Sequence, residues 1–270
     1  MMDIGKAFRE IMDLIFPPAC EACGAVGELG LCSACMQQVT LVEEPYCAQC
    51  GQPFDPNVPR PPQLCASCRS DAPHFDGARA VGLHTGPLRN VIISCKFKGR
   101  TSVAPFLARL LAERIAAEAE PGWPLPLAEV DAVVPVPLHP QRRRWRGFDQ
   151  AALIVRDLAP AVKKPVWEEC IQRQKATLPQ IGLSPQQRRD NVKNAFVIPD
   201  EGLVRDKRLL LVDDVYTTGA TGNDAARALK AAGAGEVYLL TVTRAAPDWH
   251  PASQITEPPE VHTGNASCSH

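Results

Sequence analysis

Four Cys-x-x-Cys pairs constrain this chain more than any other feature: Cys20/Cys23, Cys32/Cys35, Cys47/Cys50 and Cys65/Cys68. They use eight of the 11 cysteines, and glycine follows the first and third pairs as Gly24 and Gly51. Two thiolates two residues apart converge on one ion, and a following glycine permits the tight turn this requires. Two such pairs complete a tetrahedral site of four cysteines, so four pairs predict two structural zinc ions. Sequential grouping (Cys20, Cys23, Cys32, Cys35, then Cys47, Cys50, Cys65, Cys68) closes the shorter loops; an interleaved cross-brace is the alternative. With four thiolates each, both sites are closed, and the metal folds the segment rather than catalysing. Disulfides need an oxidising compartment, and a thioredoxin-like redox motif would account for one pair, not four. Cys95, Cys170 and Cys268 stand apart and are expected in the core or the tail.

The cysteines divide the chain. Residues 17–75 are expected to form a double zinc ribbon that cannot hold itself together without metal. Before it, Ile4, Phe8, Ile11 and Ile15 recur at helical spacing over residues 1–16 and predict a short amphipathic helix. Charges interrupt that segment too often for a signal peptide, and no apolar run reaches the length of a membrane span. A cytoplasmic protein with no membrane span is expected. The net charge of −1 excludes a surface that coats nucleic acid as a whole, though not a local basic stripe. Residues 247–270, rich in Pro, Ser, Thr and Glu, are expected to be a disordered tail.

Between ribbon and tail, residues 76–246 alternate strand and helix signals. Strands are predicted over 78–84, 131–137, 208–212 and 236–243, and helices over 102–119, 147–158 and 221–232. Strands apolar on both faces that alternate with helices predict an α/β fold, a parallel sheet flanked by helices.

The segment Leu209-Leu210-Leu211-Val212-Asp213-Asp214-Val215-Tyr216-Thr217-Thr218-Gly219-Ala220-Thr221 carries the chemistry. A buried strand delivers two carboxylates to its C-terminal end, where open α/β sheets bind ligands. A loop of small hydroxyl residues then opens a helix, an arrangement of amides and hydroxyls suited to phosphate. Adjacent carboxylates suit a vicinal diol or a divalent cation. Phosphate, diol and magnesium together describe a phosphorylated ribose. A Walker B strand also ends in acid residues, but no G-x-x-x-x-G-K-[ST] loop occurs in the sequence.

Two basic groups have two readings. Arg142, Arg143, Arg144 and Arg146, split by Trp145, would bind pyrophosphate or single-stranded DNA, or simply form a solvated face. Lys96, Lys98 and Arg100 around Phe97 carry the same ambiguity. His139 is either an acid–base group or polar surface.

Val212 through Thr221 resembles the PRPP-binding motif of type I phosphoribosyltransferases. With the zinc ribbon before it, the chain resembles the ComF family of competence-associated proteins. The resemblance runs over roughly residues 13–246 and takes in Pro135-Val136-Pro137-Leu138-His139-Pro140, Arg142, Arg146-Gly147-Phe148 and Gln150. It also takes in Thr177-Leu178-Pro179-Gln180, Leu183, Arg188, Asn191 and Phe196. The family usually has Asn where this chain has Asp149.

This resemblance implies a type I phosphoribosyltransferase-like fold with an N-terminal double zinc ribbon. It implies that Asp213 and Asp214 are the catalytic pair on the ribose hydroxyls, with magnesium bridging to pyrophosphate. Val212, Asp213, Asp214, Thr217, Thr218, Gly219, Ala220 and Thr221 would bind PRPP, the last five cradling its 5′-phosphate. Pro137, Leu138, His139, Arg142 and Arg146 would form the pyrophosphate loop. Residues 175–196 would close over the ligand and bring up Arg188 or Lys193. Implied partners are PRPP or a related ribose phosphate, and single-stranded DNA with a DNA-uptake helicase. Either the chain is a phosphoribosyltransferase of the pentosyl type, or it is a DNA-binding accessory or a PRPP sensor without turnover. The chain opens Met1-Met2-Asp3 and its first cysteine is Cys20, so a glutamine amidotransferase with an N-terminal nucleophilic cysteine is not expected.

Overall fold

Four parallel strands carry the fold in the computed structural model, which describes residues 17–58, 63–117, 127–174, 194–247 and 250. They are β1 (Gly77–Leu83), β2 (Ala132–Pro135), β5 (Arg208–Tyr216) and β6 (Glu236–Arg244), in the sheet order β1-β6-β5-β2. A separate antiparallel pair, β3 (Gln172–Arg173) and β4 (Phe196–Val197), stands beside it. The predicted N-terminal helix of residues 1–16 lies outside the described residues, as does nearly all of the predicted tail.

The sheet is covered on both faces because its central strands are apolar on both. Leu210 and Val212 of β5, with Tyr238, Leu240 and Val242 of β6, join one core cluster. Their neighbours Leu209, Leu211, Val237 and Leu239 join the other. The first face is packed by α3 (Gly86–Lys98), α4 (Ala104–Ala117) and α6 (Gln150–Val162). The second is packed by α8 (Ala220–Ala231), whose Gly222 sits so close to β6 that a Cβ would lie 2.4 Å from a methyl of Leu239. The other described α-helices, α1 (Ser33–Met36), α2 (Ala66–Ser70), α5 (Pro140–Arg146) and α7 (Glu201–Val204), are one or two turns long.

The short elements α1, α2, α5, α7, β3 and β4 have no counterpart among the predicted ones, and three longer elements also differ. Helix α3 was not anticipated, although Pro87 in its first turn and Gly99 at its C-cap, with φ +65°, mark both ends. The helix predicted over 147–158 starts instead at Gln150: Gly147, at φ +85°, ends α5, and Asp149 caps α6. Strand β5 runs four residues past the predicted end, so Asp213 is still in register with Thr241 and Val215 with Thr243 of β6.

The zinc-ribbon segment is docked on the sheet rather than appended to it. Strand β1 is an edge strand, and residues 40–42 close that edge: the Val42 amide donates to the Val81 carbonyl at 2.9 Å and the Leu83 amide to that of Thr40 at 2.8 Å. From this seam the cysteine pairs reach to both faces. Cys20, Leu31 and Cys35 enter the first core beside Phe106 of α4; Cys47, Cys50 and Cys68 enter the second beside Phe75 and Ala78. The ribbon thus straddles the sheet edge.

Gly51 shows how tight this docking is. Its φ is +68°, and a Cβ would lie 2.6 Å from the Ala78 carbonyl oxygen. Gly24, in the equivalent place after the first pair, has φ +76° but nothing within 4 Å. Gly51→Ala is expected to lose about 1–3 kcal/mol more than Gly24→Ala by denaturant midpoint, the cost of the backbone clash added to the left-handed penalty. Gly24→Ala is expected to lose about 1 kcal/mol, the left-handed penalty alone. Equal losses would contradict the docked geometry.

Candidate functional site

The carboxyl ends of β5, β6 and β1 bring the chemistry-bearing residues together. Asp213 and Asp214 end the buried run of β5, and the Asp214 amide donates to Asp213 Oδ1 at 2.8 Å. Two adjacent carboxylates, Asp214 buried and Asp213 half-buried, cannot both ionise without a countercharge. Burial and the neighbouring Asp214 push Asp213 well above the usual carboxylate range. Burial works on Asp214 in the same sense, but the Lys96 ammonium overcomes it and holds Asp214 below that range, with Arg146 adding to the effect. Lys96 Nζ lies 2.8 Å from Asp214 Oδ2. In the sequence Lys96 is one of an ambiguous basic group, because the partner that defines it belongs to a distant strand.

Behind Asp214 runs a short relay. His84 Nδ1 lies 2.9 Å from Thr243 Oγ1, and the Thr243 hydroxyl donates to the Asp214 carbonyl at 3.3 Å. A hydroxyl has one proton, so His84 must donate through Nδ1. Burial, then the nearby positive Lys96, lowers the His84 pKa to about 4, so the ring is neutral.

The loop after β5 is shaped by its glycine. Gly219 has φ +75°, and a Cβ there would lie 2.3 Å from the Tyr216 hydroxyl oxygen. Thr218 Oγ1 accepts from the Ala220 amide at 3.4 Å, and Gly219 is the N-cap of α8. The loop therefore delivers Thr217 through Thr221 to a helix N-terminus next to the carboxylate pair.

The Pro137–His139 loop follows β2, the neighbour of β5. Its shape depends on Asp149: one carboxylate oxygen accepts from the Leu138 amide at 2.8 Å, the other from Ala151 at 3.1 Å and Ala152 at 3.3 Å. Three acceptor contacts use both oxygens, which an amide side chain could not reproduce without turning its NH2 towards a donor. The Leu138 amide is thus already engaged. So is His139: its Nδ1 accepts from the Gln141 amide at 3.3 Å, and Nε2 donates to the Gln174 carbonyl at 3.1 Å. Far from polar surface, His139 is buried and caps α5.

Positive charge surrounds this loop. Burial and the closeness of Arg146 lower the Arg142 pKa. Arg146 donates to Gln150 Oε1 and stands 5.7 Å over the Phe97 ring. Buried Arg173 of β3 also reaches the site: burial and Arg142 lower its pKa, while Asp213, Asp224 and Asp149 oppose them. No local sequence pattern marks Arg173, whose place depends on the β3–β4 pairing. Arg188 and Lys193 lie outside the described residues.

The cysteines group sequentially. Within each of the two sets, Cys20/Cys23/Cys32/Cys35 and Cys47/Cys50/Cys65/Cys68, the sulfur atoms lie within 4.8 Å of one another. The Cys23–Cys32 and Cys50–Cys65 sulfurs are each 3.7 Å apart. A tetrahedral ion with Zn–S of about 2.3 Å sets its sulfurs about 3.8 Å apart, so both sets fit structural zinc. In each set the pKa of the first thiol, Cys20 or Cys47, is lowered, while those of Cys23, Cys35, Cys50 and Cys68 are raised. Burial raises Cys20, but the amides of Cys32, Cys23 and Ala22 bring it to about 6, whereas burial and its three partner cysteines lift Cys35 to about 12. Only a bound cation lets four thiolates coexist. No described helix is long and apolar enough to cross a membrane.

Comparison with known proteins gives the same two-part picture. Residues 11–69 match the double zinc ribbon domain family, and residues 171–256 the phosphoribosyl transferase domain family. Competence protein F of Haemophilus influenzae is 34% identical over 221 residues, covering 82% of this chain and 93% of that protein. The DNA utilization protein YhgH of Escherichia coli is 34% identical over 237 residues, covering 86% and 99%. A solved glutamine PRPP amidotransferase from B. subtilis, complexed with ADP and GMP, overlaps 52% of this chain and 26% of that one, at 23% identity and a TM-score of 0.34.

The His84 relay has a pH signature. The folded pKa of about 4 lies below the ordinary 6.5, so its stabilising contribution is fully present above pH 6.5 and is lost as pH falls towards 4. His84→Asn, which removes the titration, is expected to show a smaller fall in melting temperature across that window. A fall as large as that of the unaltered protein would contradict a neutral buried His84.

Proposed function

From the chain's membership of the ComF family, to which competence protein F and YhgH belong, we propose that it binds PRPP with magnesium and acts in DNA utilization. The observation that carries this reading is the charge arrangement at the end of β5: a carboxylate pair, Asp214 buried and Asp213 half-buried, answered by Lys96 and Arg146, directly before a glycine loop that opens a helix. Asp213 and Asp214 would hold the ribose hydroxyls, and magnesium would neutralise the carboxylates and the pyrophosphate together. Thr217 through Thr221 would take the 5′-phosphate on backbone amides and hydroxyls. Arg142 and Arg146, crowded together beside the Pro137–His139 loop, would gain most from an anion and are the residues proposed for pyrophosphate. In the same reading Arg188 or Lys193, outside the described residues, would reach the leaving pyrophosphate.

With an acceptor present, pyrophosphate would leave C1 of the ribose through an oxocarbenium-like state, and the site would supply positioning and charge stabilisation. Binding without turnover, as a sensor, uses the same residues. The metal-held segment 17–75 and the α/β body 76–246 are proposed to work as one unit in the cytoplasm.

A second reading concerns DNA, and one observation favours it. Arg146 stands over Phe97, so the two basic groups of the sequence form one surface with Trp145, 75% exposed, and Phe97, 53% exposed. Exposed aromatics among arginines suit stacking with single-stranded bases. A helicase engaged on the same strand is the implied protein partner.

Calorimetry with PRPP and magnesium separates these readings. The unaltered chain is expected to bind, and Asp213→Asn to weaken binding tenfold or more, about 1.4 kcal/mol. Arg143→Ala with Arg144→Ala should leave PRPP binding intact while weakening single-stranded DNA binding, which should fall steeply with salt. No PRPP binding by the unaltered chain would overturn the first reading, and DNA binding indifferent to salt and to both arginines the second.

A further inference from the structure

The proposed site leaves two groups unexplained, the half-buried Tyr216 and the buried Arg244, the paired last residues of β5 and β6. Arg244 is 2% exposed. A guanidinium so deeply buried must be matched by acceptors or negative charge. It donates to the Cys50 carbonyl at 2.8 Å and to Gln52 Oε1, and its planar face lies 4.8 Å over the Tyr216 ring. One side chain therefore joins the second cysteine set to the end of the ligand strand.

The other wall of the Tyr216 ring is held by the same knuckle. Phe75 meets the ring edge-on, with centroids 6.4 Å apart, and the Phe75 carbonyl accepts from Gln49 Nε2 at 2.6 Å. Gln49 lies between Cys47 and Cys50, and its own carbonyl accepts from the Ala78 amide at 2.7 Å.

Gly219 rests on the opposite side of this connection. A Cβ there would fall 2.3 Å from Tyr216 Oη and 2.4 Å from Cζ, so the glycine backbone lies flat against the phenol. A ring that shifts must carry the loop with it. The first cysteine set has no comparable link among the described residues: Gly30 beside it packs on the Phe106 ring, where a Cβ would lie 2.3 Å away, on the other face of the sheet.

We propose that Tyr216 and Arg244 are positioning residues through which metal at Cys47, Cys50, Cys65 and Cys68 fixes the ribose-phosphate loop, with no such dependence on the first set. This rests on the reading of residues 217–221 as the phosphate-binding loop. Zinc in the second set fixes the Cys47–Cys50 knuckle; the knuckle fixes Arg244 and Phe75; these hold Tyr216, and Tyr216 supports Gly219. Arginine is required because it combines a forked donor with a face that stacks on an aromatic ring. By thermodynamic reciprocity, a ligand in the loop also stabilises metal in the second set.

Hydrogen exchange in the zinc-loaded, ligand-free full chain tests the coupling. The reporter is the Asn223 amide, which donates to the Gly219 carbonyl at 2.8 Å. Arg244→Met and Tyr216→Leu, each still holding two zinc ions per chain by metal analysis, are expected to speed its exchange tenfold or more. Tyr216→Phe, which keeps the ring, should stay within twofold of the unaltered chain. Cys65→Ser should speed exchange and Cys32→Ser should not, but Arg244→Met decides, since all eight ligands stay in place. Unchanged Asn223 exchange in Arg244→Met would overturn the coupling, as would equal acceleration by Cys32→Ser and Cys65→Ser. No ligand enters this measurement, so a chain that shows the coupling yet fails to bind PRPP would sink the proposed function alone.

Discussion

The open edge of β1 is the constraint around which the molecule is arranged. A parallel sheet needs both faces covered and both edges managed, and helices attend only to the faces. At the far edge, residues 165–167 add a short parallel extension beside β2, with the Val133 amide donating to the Pro165 carbonyl at 2.9 Å. At the β1 edge the cover comes from the cysteine-rich segment, whose residues 40–42 pair antiparallel with β1. A segment so short of core can cover an edge only if something else fixes its shape, and two closed metal sites supply that. The double ribbon is therefore part of the fold's closure. Arg79 marks the seam, with its guanidinium 4.5 Å over Tyr46 and donating to the Ala48 carbonyl at 3.1 Å.

Closure at that edge has consequences at the carboxyl end of the sheet. Asp213 and Asp214 sit where burial makes a pair of negative charges costly, and Lys96 and Arg146 approach them from α3 and α5. The result is one carboxyl held ionised beside one that resists ionisation, a division that a divalent cation would remove. The same region is held from behind by the neutral His84 and Thr243, and from the side by Asp149, which ties the Pro137–His139 loop to the start of α6. The site is therefore preorganised by contacts that do not themselves face a ligand.

Local features of this molecule were readable in the sequence, and contacts between distant segments were not. The cysteine spacing and the apolar run ending in Asp213 and Asp214 are local, and each specifies its own geometry. Helix α3 was missed although Pro87 and Gly99 punctuate it, since Gly86, Asn90 and Ser94 blur its apolar stripe. The start of α6 was placed too early, yet the side chain of Asp149 directly before an apolar helix is a readable cap. By contrast, no local pattern marks Lys96 as the partner of Asp214, Arg173 as a neighbour of Asp213, or Arg244 as the link between ribbon and loop. Each depends on which strands lie side by side, and a buried arginine or histidine has no sequence signature of its own.

The most direct test of the proposed site is a crystal structure of the chain grown with PRPP and magnesium. Ribose density is expected at Asp213 and Asp214, the 5′-phosphate on the amides of residues 217–221, and pyrophosphate beside Arg142 and Arg146, with metal in both cysteine sets. A ligand bound elsewhere, or a loop at 217–221 that remains empty at saturating PRPP, would contradict it.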